Sequence, residues 1–138
     1  MVNASILNFL KYKIFSVLPR IRPFEFESAV FAGEPVQLTC FVTKGDKPLR
    51  ISWYLHSKEL TSQTGITTST MGDRASSLSI ASTGLSNAGN YTCVAQNAVG
   101  MDSYSAYLEV NGTDLDMVFI QNIFNDLKAF LIIYLELL

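Results

Sequence analysis

Two cysteines, Cys40 and Cys93, and one histidine, His56, are the residues of this 138-residue chain best suited to covalent or acid–base chemistry. Two cysteines can form a disulfide or remain as buried thiols. Catalysis asks for more: a nucleophile beside a base, paired carboxylates, or a metal cluster. His56 falls just past an expected strand, in an exposed loop, and no Ser and acid are marked as its companions. Asp114-Leu115-Asp116 offers two carboxylates, short of the six to eight oxygens that calcium takes. No Gly-rich phosphate loop is present. These residues point away from an enzyme, and no cofactor is expected.

Three Asn-X-Ser/Thr triplets suggest a different chemistry, the attachment of N-linked sugar: Asn3-Ala4-Ser5, Asn90-Tyr91-Thr92 and Asn111-Gly112-Thr113. Asn90 and Asn111 are the stronger candidates, Asn90 because it faces outward if Tyr91 faces inward, Asn111 because it follows the last expected strand. The charge balance excludes other partners. A net charge of −2 and a pI near 5.3 give no basic stripe for nucleic acid and no polybasic patch for a membrane surface.

The elements that must position these residues are short strands. From Phe24 to Val110 apolar and polar residues alternate in segments separated by turn residues, the pattern of an antiparallel all-β domain. Val36, Leu38, Cys40 and Val42 share one face, and Lys44-Gly45-Asp46-Lys47-Pro48 breaks that strand. Ile51, Trp53 and Leu55 face inward on the next, a phase that sets Trp53 in the core rather than against a ligand. Leu78 and Ile80, then Tyr91, Cys93 and Ala95, then Tyr104, Ala106, Leu108 and Val110 continue the inner face. Asn97-Ala98-Val99-Gly100 reads as a hairpin turn with Gly100 at positive φ.

A mid-strand Cys40, a Trp thirteen residues later and a Cys93 preceded by Tyr91 resemble the immunoglobulin fold. In that fold the two cysteines bridge facing sheets over a buried Trp. The resemblance implies a Cys40–Cys93 disulfide, which leaves no thiolate for catalysis or zinc. It also implies a core centred on Trp53, Leu78 and Tyr91. Asn87 to Cys93 resembles the tyrosine corner. Asn87 stands where the family usually has Asp, which leaves capping hydrogen bonds open and puts an ion pair with Arg74 in doubt.

The segments Pro19–Phe26, Gly33–Cys40, Lys44–Trp53, Asp73–Ile80 and Gly89–Ala95 are similar to an I-set domain, most of all one of the arthropod Down syndrome cell adhesion molecule (Dscam) family. The likeness extends over residues 20–111. It implies an extracellular, cell-surface module for adhesion and self-recognition in neuronal wiring, whose partner is a like domain on another chain. The outer face of the sheet carrying Cys40 is the implied contact surface, with Gln37, Thr39, Phe41, Ser77 and Ser79 as candidates and Phe41 as an aromatic anchor. Two alternatives remain open: a heterophilic or soluble immune-recognition module, and a structural I-set spacer.

The ends differ in character. Residues 1–19 form a weakly signal-like extension, since Lys11 and Lys13 interrupt the apolar run Ile6–Leu18 and no small-residue cleavage site precedes Pro19. In residues 112–138, Ile120, Phe124, Leu127, Phe130, Leu131, Tyr134, Leu135 and Leu138 recur at helical spacing. Asp126, Lys128 and Glu136 leave only Ala129–Leu135 free of charge, too short to read as a membrane span. Small residues near Asn111-Gly112 ahead of an apolar end leave a lipid-anchor signal open. The expectation is one immunoglobulin-like domain between two flanks that are not native folded structure. Membrane attachment is expected only through missing or flanking segments.

Overall fold

Burial follows the alternation wherever a strand has one wet and one dry face. The computed structural model describes residues 2–27, 30–61, 65–112 and 114–138. Strand β3 (Val36–Lys44) buries Val36, Leu38, Cys40 and Val42 and exposes the residues between them. Around it run β1 (Arg20–Ile21), β2 (Val30–Phe31), β4 (Arg50–Leu55), β5 (Lys58–Glu59), β6 (Ile66–Met71), β7 (Ala75–Ile80), β8 (Gly89–Asn97), β9 (Gly100–Leu108) and β10 (Val110–Asn111). One antiparallel sheet has the order β1-β3-β7-β6 and the other β5-β4-β8-β9, while β2 pairs in parallel with β10. The expected two-sheet sandwich is the observed fold.

The Cys40–Cys93 disulfide joins β3 to β8 across the sandwich. Trp53 is the cross-strand neighbour of Cys93 and is 2 % exposed. Its indole N–H donates to Ser76 Oγ (3.0 Å), and that hydroxyl donates to Ser69 O (3.2 Å). The one polar atom of the ring is therefore satisfied inside the core, as burial requires. Phe24, beyond β1, sets its ring 5.6 Å from Trp53 and 5.0 Å from Tyr104, and Phe26 lies 5.4 Å from Tyr91. Leu78 and Tyr91 are fully buried beside them.

Two turns depart from the expectation or exceed it. Gly100 does not take positive φ. The β8–β9 turn is held by the Asn97 side chain, whose Oδ1 accepts from Val99 N (3.1 Å) and Gly100 N (3.2 Å), so no left-handed residue is needed. What Gly100 provides is room: a Cβ there would lie 2.5 Å from Leu18 Cδ2. The β4–β5 hairpin, by contrast, places both His56 (φ 48°) and Ser57 (φ 65°) in the left-handed region. This is the backbone that a two-residue hairpin demands of its central pair. His56 is exposed there, and its ring lies over Gly89.

The chain enters the sandwich before β1. Val17 N donates to Asp46 Oδ2 (2.8 Å), and Val17 O accepts from Asp46 N (3.1 Å) and Asn97 Nδ2 (2.8 Å). Gly45 makes room for this entry, because a Cβ on it would lie 2.8 Å from Pro19 Cα. Helix α1 (Ala4–Phe15) precedes the entry, and α2 (Asp114–Glu136) follows β10. The helical spacing read in residues 112–138 is thus realised as a helix. Its stretch Val118–Glu136 is long and apolar enough, by length and composition, to cross a membrane. That is a wider allowance than the charge-free run Ala129–Leu135 suggested, because average hydropathy tolerates Asp126 and Lys128 inside the stretch and Glu136 at its end, which a charge-free run does not.

Candidate recognition face

Strand register assembles the outer face of the β1-β3-β7-β6 sheet into three rows. Gln37, Ser79 and Thr67 make the first, Thr39, Ser77 and Ser69 the second, and Phe41, Ala75 and Met71 the third. Neighbouring strands lie about 4.8 Å apart, so each row spans roughly 10 Å. Phe41 is 38 % exposed and Met71 51 % exposed, with the small Ala75 between them. The third row is therefore a shallow apolar notch beside two rows of hydroxyl and amide groups.

Arg22 frames the apolar end. Its backbone N–H donates to Phe41 O (2.9 Å), and its guanidinium sits 5.1 Å from the Phe41 ring centroid. A cation over the ring face is held by the ring quadrupole and leaves the remaining edge open to a partner. Past Met71 the β6–β7 turn carries Asp73, ion-paired with Lys47. The Lys47 hydrogen bond holds the Asp73 carboxyl below the ordinary carboxylate range. Both groups are exposed, so the pair contributes little to stability.

Ser77 requires a correction. It was expected outward and available, and its phase is outward, yet only 8 % of it is exposed. β7 is an inner strand of this sheet, and the short Ser77 side chain lies between Thr39 and Ser69 in its row, with its Oγ 3.0 Å from Ser69 Oγ. Gln37 and Thr39 are exposed and Ser79 is half-buried. Thr67, Ser69, Met71 and Arg22 complete the face and were not anticipated. Thr67, Ser69 and Met71 lie on β6, which exposes every residue after Ile66 and so lacks alternation, and Arg22 follows β1. The run of Thr and Ser followed by Gly72 was the available signal, since β-branched residues ending at a turn mark a strand.

The tyrosine corner closes the opposite end of the fold. Tyr91 Oη donates to Asn87 O (2.8 Å), and Asn87 Oδ1 accepts from Gly84 N (2.8 Å), capping the short turn Leu85–Asn87. Arg74 instead donates to Gly45 O (2.9 Å). Burial pushes the Tyr91 phenol up to about 12, because desolvation penalises the phenolate. The unfolded phenol titrates near 10, so between about pH 10 and 12 the folded state holds a proton that the unfolded state has released. Stability contributed by Tyr91 is complete below about pH 10 and is expected to fall by about 1.4 kcal/mol per unit above it. Denaturant titrations at successive alkaline pH values, with phenolate absorbance followed in parallel, check this. A Tyr91→Phe chain should lose that part of the slope.

On the other sheet Asn90 is exposed beside β9, and its side chain makes no hydrogen bond among the described residues. Asn111 is half-buried, and Thr113 of its triplet lies outside the described residues. Asn3 caps α1, its Oδ1 accepting from Ser5 N (3.1 Å). The side chains of Asp114 and Asp116 lie outside the described residues. Among those that are described, no cluster of three His, Cys, Asp or Glu gathers to hold a metal ion.

A family model of the immunoglobulin domain matches residues 19–97. The chain belongs to the immunoglobulin-domain family. This immunoglobulin domain is Dscam-like: it is 39 % identical over 97 residues to the cell adhesion molecule Dscam1 of Drosophila melanogaster, covering 69 % of this chain and 5 % of that one. Mouse cell adhesion molecule DSCAML1 is also 39 % identical over 94 residues, covering 68 % of this chain and 4 % of the relative. The solved Ig7 domain of Dscam1, isoform 5, superposes with a TM-score of 0.68 at 36 % identity, covering 70 % of this chain and 99 % of that structure. The chain thus spans about one-twentieth of the length of its curated relatives and nearly all of one of their domains. An immunoglobulin domain with cell-adhesion relatives points to a non-enzymatic protein.

Proposed function

We propose that this domain is an extracellular adhesion and recognition module that pairs with a second copy of itself through the outer face of the β1-β3-β7-β6 sheet. The observation that carries the reading is the composition of that face. Its three rows hold amide, hydroxyl and apolar side chains, with its charges at the margin, on Arg20, Arg22 and Lys44 along the β1 side and at the Lys47–Asp73 pair. A two-fold interface brings each patch against its own copy, so a strongly charged face would repel itself, and this one does not. Phe41 and Met71 supply apolar area, and Ala75 leaves room for a ring from the facing copy. Adhesion relatives and a disulfide suited to an oxidising compartment support the same reading. The apolar stretch Val118–Glu136 supports attachment to a surface.

Beads coated with the oxidised chain are expected to aggregate, and Phe41→Asp is expected to abolish aggregation by replacing the apolar anchor of the contact with a carboxylate that the facing copy would have to desolvate. Sedimentation equilibrium should show the variant's self-association weakened at least tenfold, with its thermal midpoint close to that of the parent. Aggregation that survives Phe41→Asp unchanged would remove this face from the reading, and absence of aggregation in the parent would remove the homophilic reading.

A further inference from the structure

The second sheet presents a different surface, and its outward residues meet around Asn90. Strand β8 turns Tyr91 and Cys93 into the core, both fully buried, and so turns Asn90 and Thr92 outward. Register sets Asn90 opposite Tyr107 of β9, and sets Thr92 between Tyr54 of β4 and Ser105 of β9. β4 ends at Leu55, the partner of Tyr91, so Asn90 stands past the end of the β4 ladder and is exposed, while the His56 ring lies over its neighbour Gly89. Tyr107 is 65 % exposed, a large ring left uncovered on the edge strand of the sheet.

From this arrangement we infer that Asn90 carries an N-linked glycan whose first sugar lies on the ring of Tyr107. The inference rests on the extracellular reading above, since only an exported chain meets the donor. In the transfer, Asn90 Nδ2 attacks C1 of the terminal N-acetylglucosamine of an oligosaccharide linked to a lipid pyrophosphate. The C1–O bond to pyrophosphate breaks and the lipid pyrophosphate leaves with the electron pair. The amide nitrogen gives up one proton to a base, and an N–C1 bond replaces an N–H. Thr92 supplies the hydroxyl that the acceptor triplet requires two positions on.

The geometry favours this triplet over the others. Directly opposed residues on paired strands have Cβ atoms about 5 Å apart, within reach of a sugar ring joined to one and an aromatic ring on the other. The axial C–H groups of an N-acetylglucosamine form an apolar face, and the Tyr107 ring offers the negative face that such C–H groups contact. Stacking there removes apolar ring surface from water. A glycan on this sheet leaves the β1-β3-β7-β6 face as the uncovered protein surface, which is the face assigned to pairing.

The test secretes the full chain from an animal cell behind a cleavable leader. Protein is taken from both the lumen of the secretory pathway and the medium, and free thiols are labelled on the same samples. Enzymatic release of N-glycans converts a modified Asn to Asp, which peptide mass measurement locates. The expected result is conversion at position 90, loss of one glycan in Asn90→Gln and in Thr92→Ala, and retention in Thr92→Ser. The glycan should raise the thermal midpoint of the parent, and Tyr107→Ser should erase that gain while keeping the sugar. An oxidised chain with Asn90 unmodified overturns the glycan and leaves the extracellular reading standing. A chain with both thiols free overturns that reading and the glycan with it. A gain that survives Tyr107→Ser overturns the seating on the ring.

Discussion

Replacing both bridging cysteines, Cys40→Ala with Cys93→Ala, is expected to lower the unfolding free energy of the domain by about 4 kcal/mol. The bond closes a loop between residues 53 positions apart, and its chief effect is to deny the unfolded chain the conformations in which those ends are separated. Domains of this size are stable by about 5–15 kcal/mol, so the loss removes a large share of the total. The thermal midpoint should fall by on the order of 15–30 °C. Urea unfolding of the parent with and without reductant is the companion measurement. It should also show a steeper denaturant dependence for the reduced chain, whose unfolded state exposes more surface. A reduced chain with an unchanged midpoint would falsify the view that the bridge acts through the unfolded state.

Trp53→Ala is the second large effect, expected to cost about 3–5 kcal/mol. The indole fills the layer between the sheets beside Cys93, touches the Phe24 ring, and is 2 % exposed. Its removal leaves a cavity that two hydrogen-bonded sheets cannot close. Trp53→Phe separates volume from hydrogen bonding. It keeps most of the ring and loses the bond to Ser76 Oγ, while Ser76 still donates to Ser69 O. The expected cost of Phe is about 1–2 kcal/mol. Equal losses for Ala and Phe would show that the N–H, not the packed ring, carries the effect. Because Trp53 and Cys93 are cross-strand neighbours, the losses from Trp53→Ala and from the cysteine pair should fall short of their sum when combined.

Legibility in the sequence tracked how far one residue's environment is set by its own strand. In β3 and β8 a single strand lies with one face on the core, so alternation alone placed Val36, Leu38, Val42, Tyr91 and Ala95. β6 buries only Ile66, and nothing in Thr67–Met71 distinguishes one side from the other, so this strand was missed. The recognition face suffered more, because register between strands creates it. No local pattern announces that Met71 shares a row with Phe41, or that Arg22 lies over that ring. Ser77 shows the converse. Its phase was readable, but its shielding comes from its neighbours on β3 and β6.

The entry and exit of the chain give the sandwich a long axis. Val17 is fastened where the β3–β4 loop meets the β8–β9 turn, and Asn111 leaves at the opposite pole, its carbonyl bonded to Ala32 N. Tension between these two points runs along the parallel β2–β10 pair, which directs the pull along those two strands rather than across them. Residues between Cys40 and Cys93 cannot unspool at all while the sulfurs stay joined. Under load along this axis the segment between the two cysteines keeps its length, and any extension of the domain has to come from residues outside it.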